Sequence, residues 1–201
     1  MYDTKELKEK EKILDAAMAC FQRFGTDKTT LGDIAETLGY SRTKIYYYFK
    51  DRESVCKAVV TKMSKSYFEE QENIVLAPSE PAVCLEKLLQ NRSRYMLEIQ
   101  TKGIFSLSFT QEVMESDEDL TLILEKEQQL YVRIIKKGVK ENVFRVKNVA
   151  LHTQILLDSV SGYFQVIASR YSDIKNLNPQ QLKEIKEFSN TQIKFIIQAL
   201  F

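Results

Sequence analysis

Apolar residues in this chain recur at the three- and four-residue spacing of an α-helix through almost its whole length. Glycine and proline, which interrupt helices, number only six and three among 201 residues. Nowhere do β-branched residues alternate with polar ones for long enough to indicate a strand. The clearest interruption is the segment 77–81, which holds two of the three prolines. The sequence therefore predicts an all-α protein of about nine helices.

The composition narrows the class of protein. Apolar residues make up 44% of the chain, which is enough for a core that needs no covalent cross-links. Cys20, Cys56 and Cys84 are widely spaced and form no CxxC pair, so we expect neither a disulfide framework nor a zinc site. No run of about eighteen apolar residues occurs, and the charged first residues lack the apolar stretch of a signal peptide. A cytoplasmic protein with no membrane segment is expected.

The first sixty residues contain four predicted helices with defined ends. The first ends at Gly25, and Thr30 opens the second by capping it together with Asp33, which reaches back in a capping-box arrangement. The second helix ends at Gly39, and Ser41 caps a third helix over residues 42–49. A fourth helix follows after Asp51, which is its predicted cap.

Two capped helices joined by a break of about three residues are typical of a helix-turn-helix, in which the last helix lies in the major groove of DNA. Between residues 39 and 62 there are six basic residues against two acidic ones, a local surplus of four positive charges in a chain whose net charge is only +1. Arg42, Thr43 and Lys44 stand at the start of the third helix, and Lys44 is the best candidate for guanine O6 and N7. The alternative is that this segment is only a packed hairpin with a solvated charged face.

The stretch that carries these features reads TTLGDIAETLGYSRTKIYYYFKDRESV, and it resembles the DNA-binding signature of the TetR family over roughly residues 10–60. The resemblance implies a DNA-binding domain over residues 1–50 and a helical ligand-binding and dimerisation domain over 51–201. It implies these DNA-contacting positions: Thr30, Ser41, Arg42, Thr43, Lys44, Tyr46, Tyr47 and Lys50. Thr43 departs from the small residue common in the family, and Gly32 weakens the second helix by about 1 kcal/mol relative to alanine.

The two long helices predicted over 148–171 and 179–201 resemble the pair that forms a four-helix dimer bundle in that family. Their apolar positions offer more hydrophobic surface than one small domain needs. The predicted interface residues are Leu156, Val160, Phe164, Ile167, Phe188, Ile193, Ile196 and Ile197. The alternative is that all of these pack within one subunit.

A ligand pocket is expected among the central helices, lined by aromatic residues with polar tips. The candidates are Tyr67, Arg92, Tyr95, Met96, Phe105, Phe109, Tyr131 and Tyr163. Arg92 would pair with an acidic ligand, although a surface position for Arg92 and an ordinary core for the aromatic residues are the alternatives. His152 is the only histidine and cannot form a metal site alone, so no metal and no cofactor are expected.

These features predict a transcriptional regulator, expected to be a repressor, that binds a palindromic double-stranded DNA operator as a homodimer and is released by a small-molecule effector. The alternative hypothesis is an all-helical enzyme. The sequence does not support it, because it contains no glycine-rich phosphate loop, no nucleophile elbow and no metal-spaced cluster. A third reading is a dimeric ligand-binding module that has lost its DNA function.

Overall fold

The computed structural model of the protein describes residues 4–102, 118–171 and 174–201. Within them lie eight α-helices, a single turn of 3₁₀-helix and no strand, which confirms the predicted all-α class. The helices are α1 (Thr4–Phe24), α2 (Leu31–Leu38), α3 (Arg42–Tyr48), α4 (Arg52–Leu76), α5 (Pro81–Thr101), α6 (Glu118–Lys140), α7 (Val149–Arg170) and α8 (Pro179–Gln198), with the 3₁₀ turn at Ile174–Asn176. Phe105 and Phe109, two of the predicted pocket residues, lie outside the described residues.

The described residues form two compact units. Residues 4–64 and 99–102 belong to the first unit, and residues 65–98, 118–171 and 174–201 belong to the second. Helix α4 is one continuous helix with residues in both units. The predicted domain boundary at residue 50 falls just before α4, whereas the division between the units falls inside it.

The core of the first unit is formed by residues of α1, α2, α3 and the first part of α4. Its fully buried side chains are Ile13, Ala17, Phe21, Ile34, Ile45, Val55 and Val59. Two polar contacts join α4 to the middle of α1 and to the turn that follows α1. The Arg52 guanidinium donates to the Thr26 carbonyl at 2.7 Å, and the Lys62 ammonium lies 2.7 Å from the Asp15 carboxylate.

The second unit has a core built from α5, α6, α7 and α8. Its fully buried members include Leu85, Leu88, Leu89, Tyr131, Ile135, Val160, Phe164 and Ile193. Helix α6 contains Gly138 and continues to Lys140. The reason for glycine at this position is packing, because a Cβ there would lie 2.1 Å from the ring of Phe144.

All three cysteines are buried as free thiols. Cys20 and Cys56 lie in the first unit and Cys84 lies in the second. Burial raises the pKa of the Cys56 thiol to about 11.

Within the described ranges, no helix combines the length and the apolar character needed to cross a bilayer. The same residues contain no group of three or more His, Cys, Asp and Glu side chains placed to hold a metal ion.

Candidate functional site

The corner between α2 and α3 is fixed by local backbone contacts. The Thr30 hydroxyl accepts a hydrogen bond from the Asp33 amide at 3.2 Å, while the Thr30 amide donates to the Asp33 carboxylate at 2.7 Å. These bonds complete the predicted capping box, and the hydrogen bonds from Thr30 also lower the pKa of Asp33. At the other end of α2, Gly39 has φ 64° and ψ 29°, the left-handed conformation that favours glycine.

Helices α3 and α4 begin at the predicted caps as well. The Ser41 hydroxyl accepts from the Lys44 amide at 3.2 Å, and the Asp51 carboxylate accepts from the Ser54 amide at 2.8 Å. Only Ile45 of α3 is buried, and the Phe49 ring that follows the helix is also buried. Helix α3 is therefore held by its inner side and keeps an outward face.

The predicted DNA-contacting residues lie on α3, close to its two ends and at the N-cap of α2. Thr30, Ser41, Arg42, Thr43 and Lys50 are exposed. Tyr46 and Tyr47 are 56% and 74% exposed, an unusual environment for two neighbouring aromatic side chains in one helical turn. Lys44 is half-buried. The outward face of α3 is thus a cationic and phenolic surface on a rigid corner.

Lys44 makes contacts that the sequence did not reveal. Its ammonium lies 2.8 Å from the Glu9 carboxylate of α1 and 3.4 Å from the centroid of the Tyr40 ring. The Tyr40 hydroxyl donates to the same carboxylate oxygen at 2.8 Å, and Lys12 donates to the other oxygen at 2.8 Å. The hydrogen bonds from Lys12, Lys44 and Tyr40 lower the pKa of Glu9 to about 2.

Arg42 lies against the first turn of α2. A Cβ on Gly32 would be 3.2 Å from an Arg42 guanidinium nitrogen and 3.3 Å from the Thr30 hydroxyl. The absent side chain therefore leaves room for Arg42 beside the capping box, which explains a glycine that costs α2 some intrinsic stability. Lys50 differs from both of these cations, because it is 85% exposed and its ammonium approaches only Asp51, at 3.8 Å.

The second unit brings three of the predicted pocket residues into one buried polar cluster. Arg92 forms an ion pair with Glu127, and Tyr67 donates to the same carboxylate. Gln71 bridges the hydroxyls of Tyr67 and Tyr131. Arg92 also donates to Ser161 at 2.9 Å, and Tyr131 donates to the Leu88 carbonyl at 3.0 Å. We call these six side chains the buried polar cluster: Tyr67, Gln71, Arg92, Glu127, Tyr131 and Ser161.

Arg92 is thus neither a surface ion nor an isolated charge, since its side chain is only 12% exposed and its partner carboxylate only 3%. Desolvation by burial is the main cause of the raised pKa of Tyr67, and burial raises the pKa of Tyr131 in the same way. Within the cluster, the Gln71 side-chain oxygen and the Arg92 Nε are buried without a hydrogen-bond partner among the described residues.

The other predicted pocket residues are distributed differently. Tyr95 stacks on Tyr67 with ring centroids 4.3 Å apart, and Met96 packs against the core of the second unit. Tyr163 instead donates to the Ile185 carbonyl at 3.1 Å and stacks on Phe188, so it belongs to the contact between α7 and α8. Phe105 and Phe109 lie outside the described residues. A cavity of about 230 Å³ is also present in the second unit, but none of the predicted pocket residues lines it.

Most of the predicted interface residues are buried within the second unit itself. These are Leu156, Val160, Phe164, Ile167, Ile193 and Ile197, while Ile196 is half-buried and Phe188 is 58% exposed. For these six buried residues, the alternative of packing within one subunit agrees with the structure. An exposed apolar face lies on the other side of α7 and α8, and it contains Leu151, Ile155, Val166, Phe188 and Phe195. His152 lies in the first turn of α7, where its ring contacts the Asn148 carbonyl at 2.7 Å.

Known proteins similar to this chain include bacterial regulatory proteins. The family model of bacterial regulatory proteins, tetR family, matches residues 13–59. The negative transcriptional regulator IcaR of the biofilm operon icaADBC of Staphylococcus aureus is 29% identical over 50% of this chain and 46% of its own length. The chain therefore spans about half the length of these curated relatives. The HTH-type transcriptional regulator YvkB of Bacillus subtilis is 27% identical over 77% of this chain and 80% of its own length.

A similar fold is known from experiment over nearly the whole chain. A transcriptional regulator of the TetR/AcrR family from Thermobifida fusca superposes with a TM-score of 0.71 and 20% identity, covering 94% of this chain and 97% of its own. The matched residues 13–59 contain the capped corner and the outward face of α3 described above. Over residues 13–59 the chain is therefore similar to the bacterial regulatory proteins of the tetR family.

Proposed function

We propose that this protein is a transcriptional repressor that binds an operator in double-stranded DNA through the outward face of α3. The single observation that supports this most is the exposure of Arg42, Thr43, Tyr46 and Tyr47 on a helix whose inner side and both neighbouring turns are fixed. A helix held in this way can enter the major groove without rearranging its backbone. Repression is proposed because IcaR is a negative regulator.

Different residues of this face serve different purposes. Lys44 at the start of α3 is proposed to contact a guanine edge, whereas Tyr46, Tyr47 and Lys50 contact phosphates. Phosphate contacts provide much of the affinity and make binding fall steeply with salt concentration.

Binding measurements on two variants test this division. Lys44→Ala should relax the base preference at one position of each half-site and cost about 1–3 kcal/mol on the preferred sequence. Lys50→Ala should weaken binding to all sequences alike and make the salt dependence shallower. Fluorescence anisotropy with duplexes carrying single base changes separates the two effects. Equal losses on every sequence from both variants would contradict the proposal.

The exposed apolar face of α7 and α8 is proposed to pair with a second copy of the chain. Leu151, Ile155 and Val166 follow one side of α7, and Phe188 and Phe195 are 58% and 73% exposed on α8. Gly162 lies on the same side of α7, and a Cβ there would meet nothing within 4 Å, which leaves room for a close helix–helix approach. Twofold pairing would present two α3 helices to a palindromic operator.

Sedimentation of Phe195→Glu tests the pairing. A charge in the middle of an apolar interface should convert a dimer into a monomer, because the carboxylate would lose its hydration. Leu76→Glu is a matched control, since Leu76 is 77% exposed outside this face. A Phe195→Glu protein that sediments as the wild type does would exclude this face.

A small-molecule effector is proposed to bind at the buried polar cluster and to release the protein from DNA. The unpartnered Gln71 oxygen and Arg92 Nε are the supporting observation, since buried polar atoms normally have partners. Tyr67 and Gln71 lie on α4, the helix that Arg52 and Lys62 attach to the rest of the first unit. A ligand that displaces Tyr67 or Gln71 would therefore act on the helix that these contacts attach to α1 and to the turn after it.

A release screen tests the effector site. Compounds that lower the DNA affinity of the wild-type protein should act less on Gln71→Leu, while Leu124→Ala, a change at an exposed position of α6, should respond as the wild type does. Unchanged responses of Gln71→Leu to every active compound would place the effector elsewhere.

A further inference from the structure

Glu9 of α1 forms an ion pair with Lys44, the cation on which base recognition is proposed to depend. Its carboxylate accepts hydrogen bonds from Lys44 and Tyr40 on one oxygen and from Lys12 on the other, each at 2.8 Å. The Lys44 ammonium is also placed over the Tyr40 ring, 3.4 Å from its centroid. Lys44 is therefore bound to its own chain before any DNA arrives.

The Glu9–Lys44 ion pair persists in the free protein but can exchange with a competing anion. Because its three hydrogen bonds hold the pKa of Glu9 at about 2, this carboxylate stays ionised at any physiological pH. The Lys44 side chain is 39% exposed and the Glu9 side chain 17%, so water and ions reach the pair. A partly exposed ion pair of this kind contributes little net stability, and a competing anion can replace the carboxylate.

Lys50 shows what a cation without such a partner looks like. Its side chain is 85% exposed and its closest carboxylate, Asp51, is 3.8 Å away. A cation in that state pairs readily with any phosphate, which is the source of non-specific DNA affinity. Lys44 must first give up its bond to Glu9, which leaves the carboxylate with its hydrogen bonds from Lys12 and Tyr40.

We propose that Glu9 is a specificity-determining residue that withholds Lys44 from unrelated DNA and releases it only to a guanine edge. On unrelated DNA a single phosphate contact merely replaces the ion pair that was lost. A guanine offers two acceptors, O6 and N7, which more than compensate for the loss. Glu9 therefore disfavours wrong sequences rather than strengthening the right one. This inference rests on the proposed DNA-binding function.

The test compares Glu9→Gln with Glu11→Gln. Both variants remove one negative charge from α1, but residue 11 lies about 200° around the helix from residue 9, on the side away from Lys44. Two duplexes are needed: one enriched by the wild-type protein from a randomised pool, and a scrambled duplex of the same composition. Anisotropy titrations over a series of KCl concentrations then give the affinity and its salt dependence for each protein.

Glu9→Gln should bind the scrambled duplex roughly threefold to tenfold more tightly than Glu11→Gln does. Its plot of log affinity against log salt concentration should be steeper by about 0.9, the value for one additional phosphate contact. The preference for the enriched duplex should fall correspondingly. Glu9→Asp, whose shorter side chain keeps the charge but does not reach Lys44, should shift the preference in the same direction and serves if Glu9→Gln does not fold.

A double-mutant cycle with Lys44→Ala identifies the cause. In the Lys44→Ala background, Glu9→Gln should have only the effect that Glu11→Gln has, because no cation is left to release. Equal behaviour of Glu9→Gln and Glu11→Gln in the wild-type background would overturn the inference. So would weaker binding of Glu9→Gln to the enriched duplex alone, since Glu9 would then be orienting Lys44 towards the base. If the wild-type protein enriches no duplex at all, the proposed function itself fails.

Discussion

The ion pairs Glu9–Lys44 and Glu127–Arg92 each join a glutamate carboxylate to a cation 35 residues away, an ammonium in the first and a guanidinium in the second, but their surroundings are opposite. The first lies beside the outward face of α3, where water reaches both partners. The second lies inside the buried polar cluster, where the side chains of Arg92 and Glu127 are 12% and 3% exposed. A partly exposed ion pair can be exchanged for a ligand at little cost in stability, whereas breaking a buried pair leaves an uncompensated charge in the core.

The largest expected effect concerns the buried pair. Glu127→Ala should lower the free energy of unfolding by about 3–5 kcal/mol, because it leaves the Arg92 charge buried without a partner. Equilibrium unfolding in urea measures the loss. The double variant Arg92→Met, Glu127→Leu should recover most of it, since an apolar pair needs no hydration. A single variant as stable as the wild type would mean that the two pairs do not differ as described.

A second prediction concerns packing in the same unit. Gly138→Ala should destabilise the protein by about 1–3 kcal/mol, because the new Cβ would lie 2.1 Å from the Phe144 ring and must displace it. Thermal unfolding of the variant and the wild type measures the loss, and an unchanged midpoint would contradict this packing.

The corresponding prediction for the exposed site concerns the turn before α3. Gly39→Ala should cost about 1–2 kcal/mol, all of it from the positive φ of 64°, since a Cβ there would contact nothing within 4 Å. Gly39→Asn should cost less, because asparagine tolerates this conformation better. Urea unfolding of the two variants tests the order. Equal costs would show that the backbone conformation is not the reason for glycine.

The smallest effect is the titration of Glu9. Its folded-state pKa of about 2 is below the ordinary value of 4.5, so the carboxylate stabilises the fold above that ordinary value and the contribution is lost as the pH falls towards 2. Carbon-13 NMR of the side-chain carboxyl, assigned by comparison with Glu9→Gln, should follow this low pKa. Lys12→Ala and Lys44→Ala should each raise the pKa, and an unchanged value in both would contradict the described contacts.

The sequence predicted the caps and the turn around α3 but not the contacts of the buried polar cluster, for a physical reason. The caps at Thr30, Ser41 and Asp51 and the turn at Gly39 depend on residues within four positions, so the printed order of residues contains the relevant neighbours. Glu9 and Lys44 are 35 residues apart, and Arg92 and Ser161 are 69 apart. Helix packing brings these residues into contact, and no local sequence pattern encodes that packing.

Helix α7 shows the same limit in another form. It carries apolar residues on two sides, with Leu156 and Val160 on the buried side and Leu151 and Ile155 on the exposed side. Periodicity identifies both stripes but not which of them the subunit buries. The predicted interface therefore included the buried stripe of α7 and omitted the exposed one.

Because every cysteine is buried, the reactivity of the three thiols reports local opening of the fold. Cys20 and Cys56 sit in the first unit and Cys84 in the second, each shielded by the folded core. A thiol reagent can react with any of them only while the surrounding helices part, so the labelling rates of the three thiols report transient exposure separately for each unit. Labelling rates measured with and without duplex would show in which unit DNA binding suppresses local opening, and no added probe is needed.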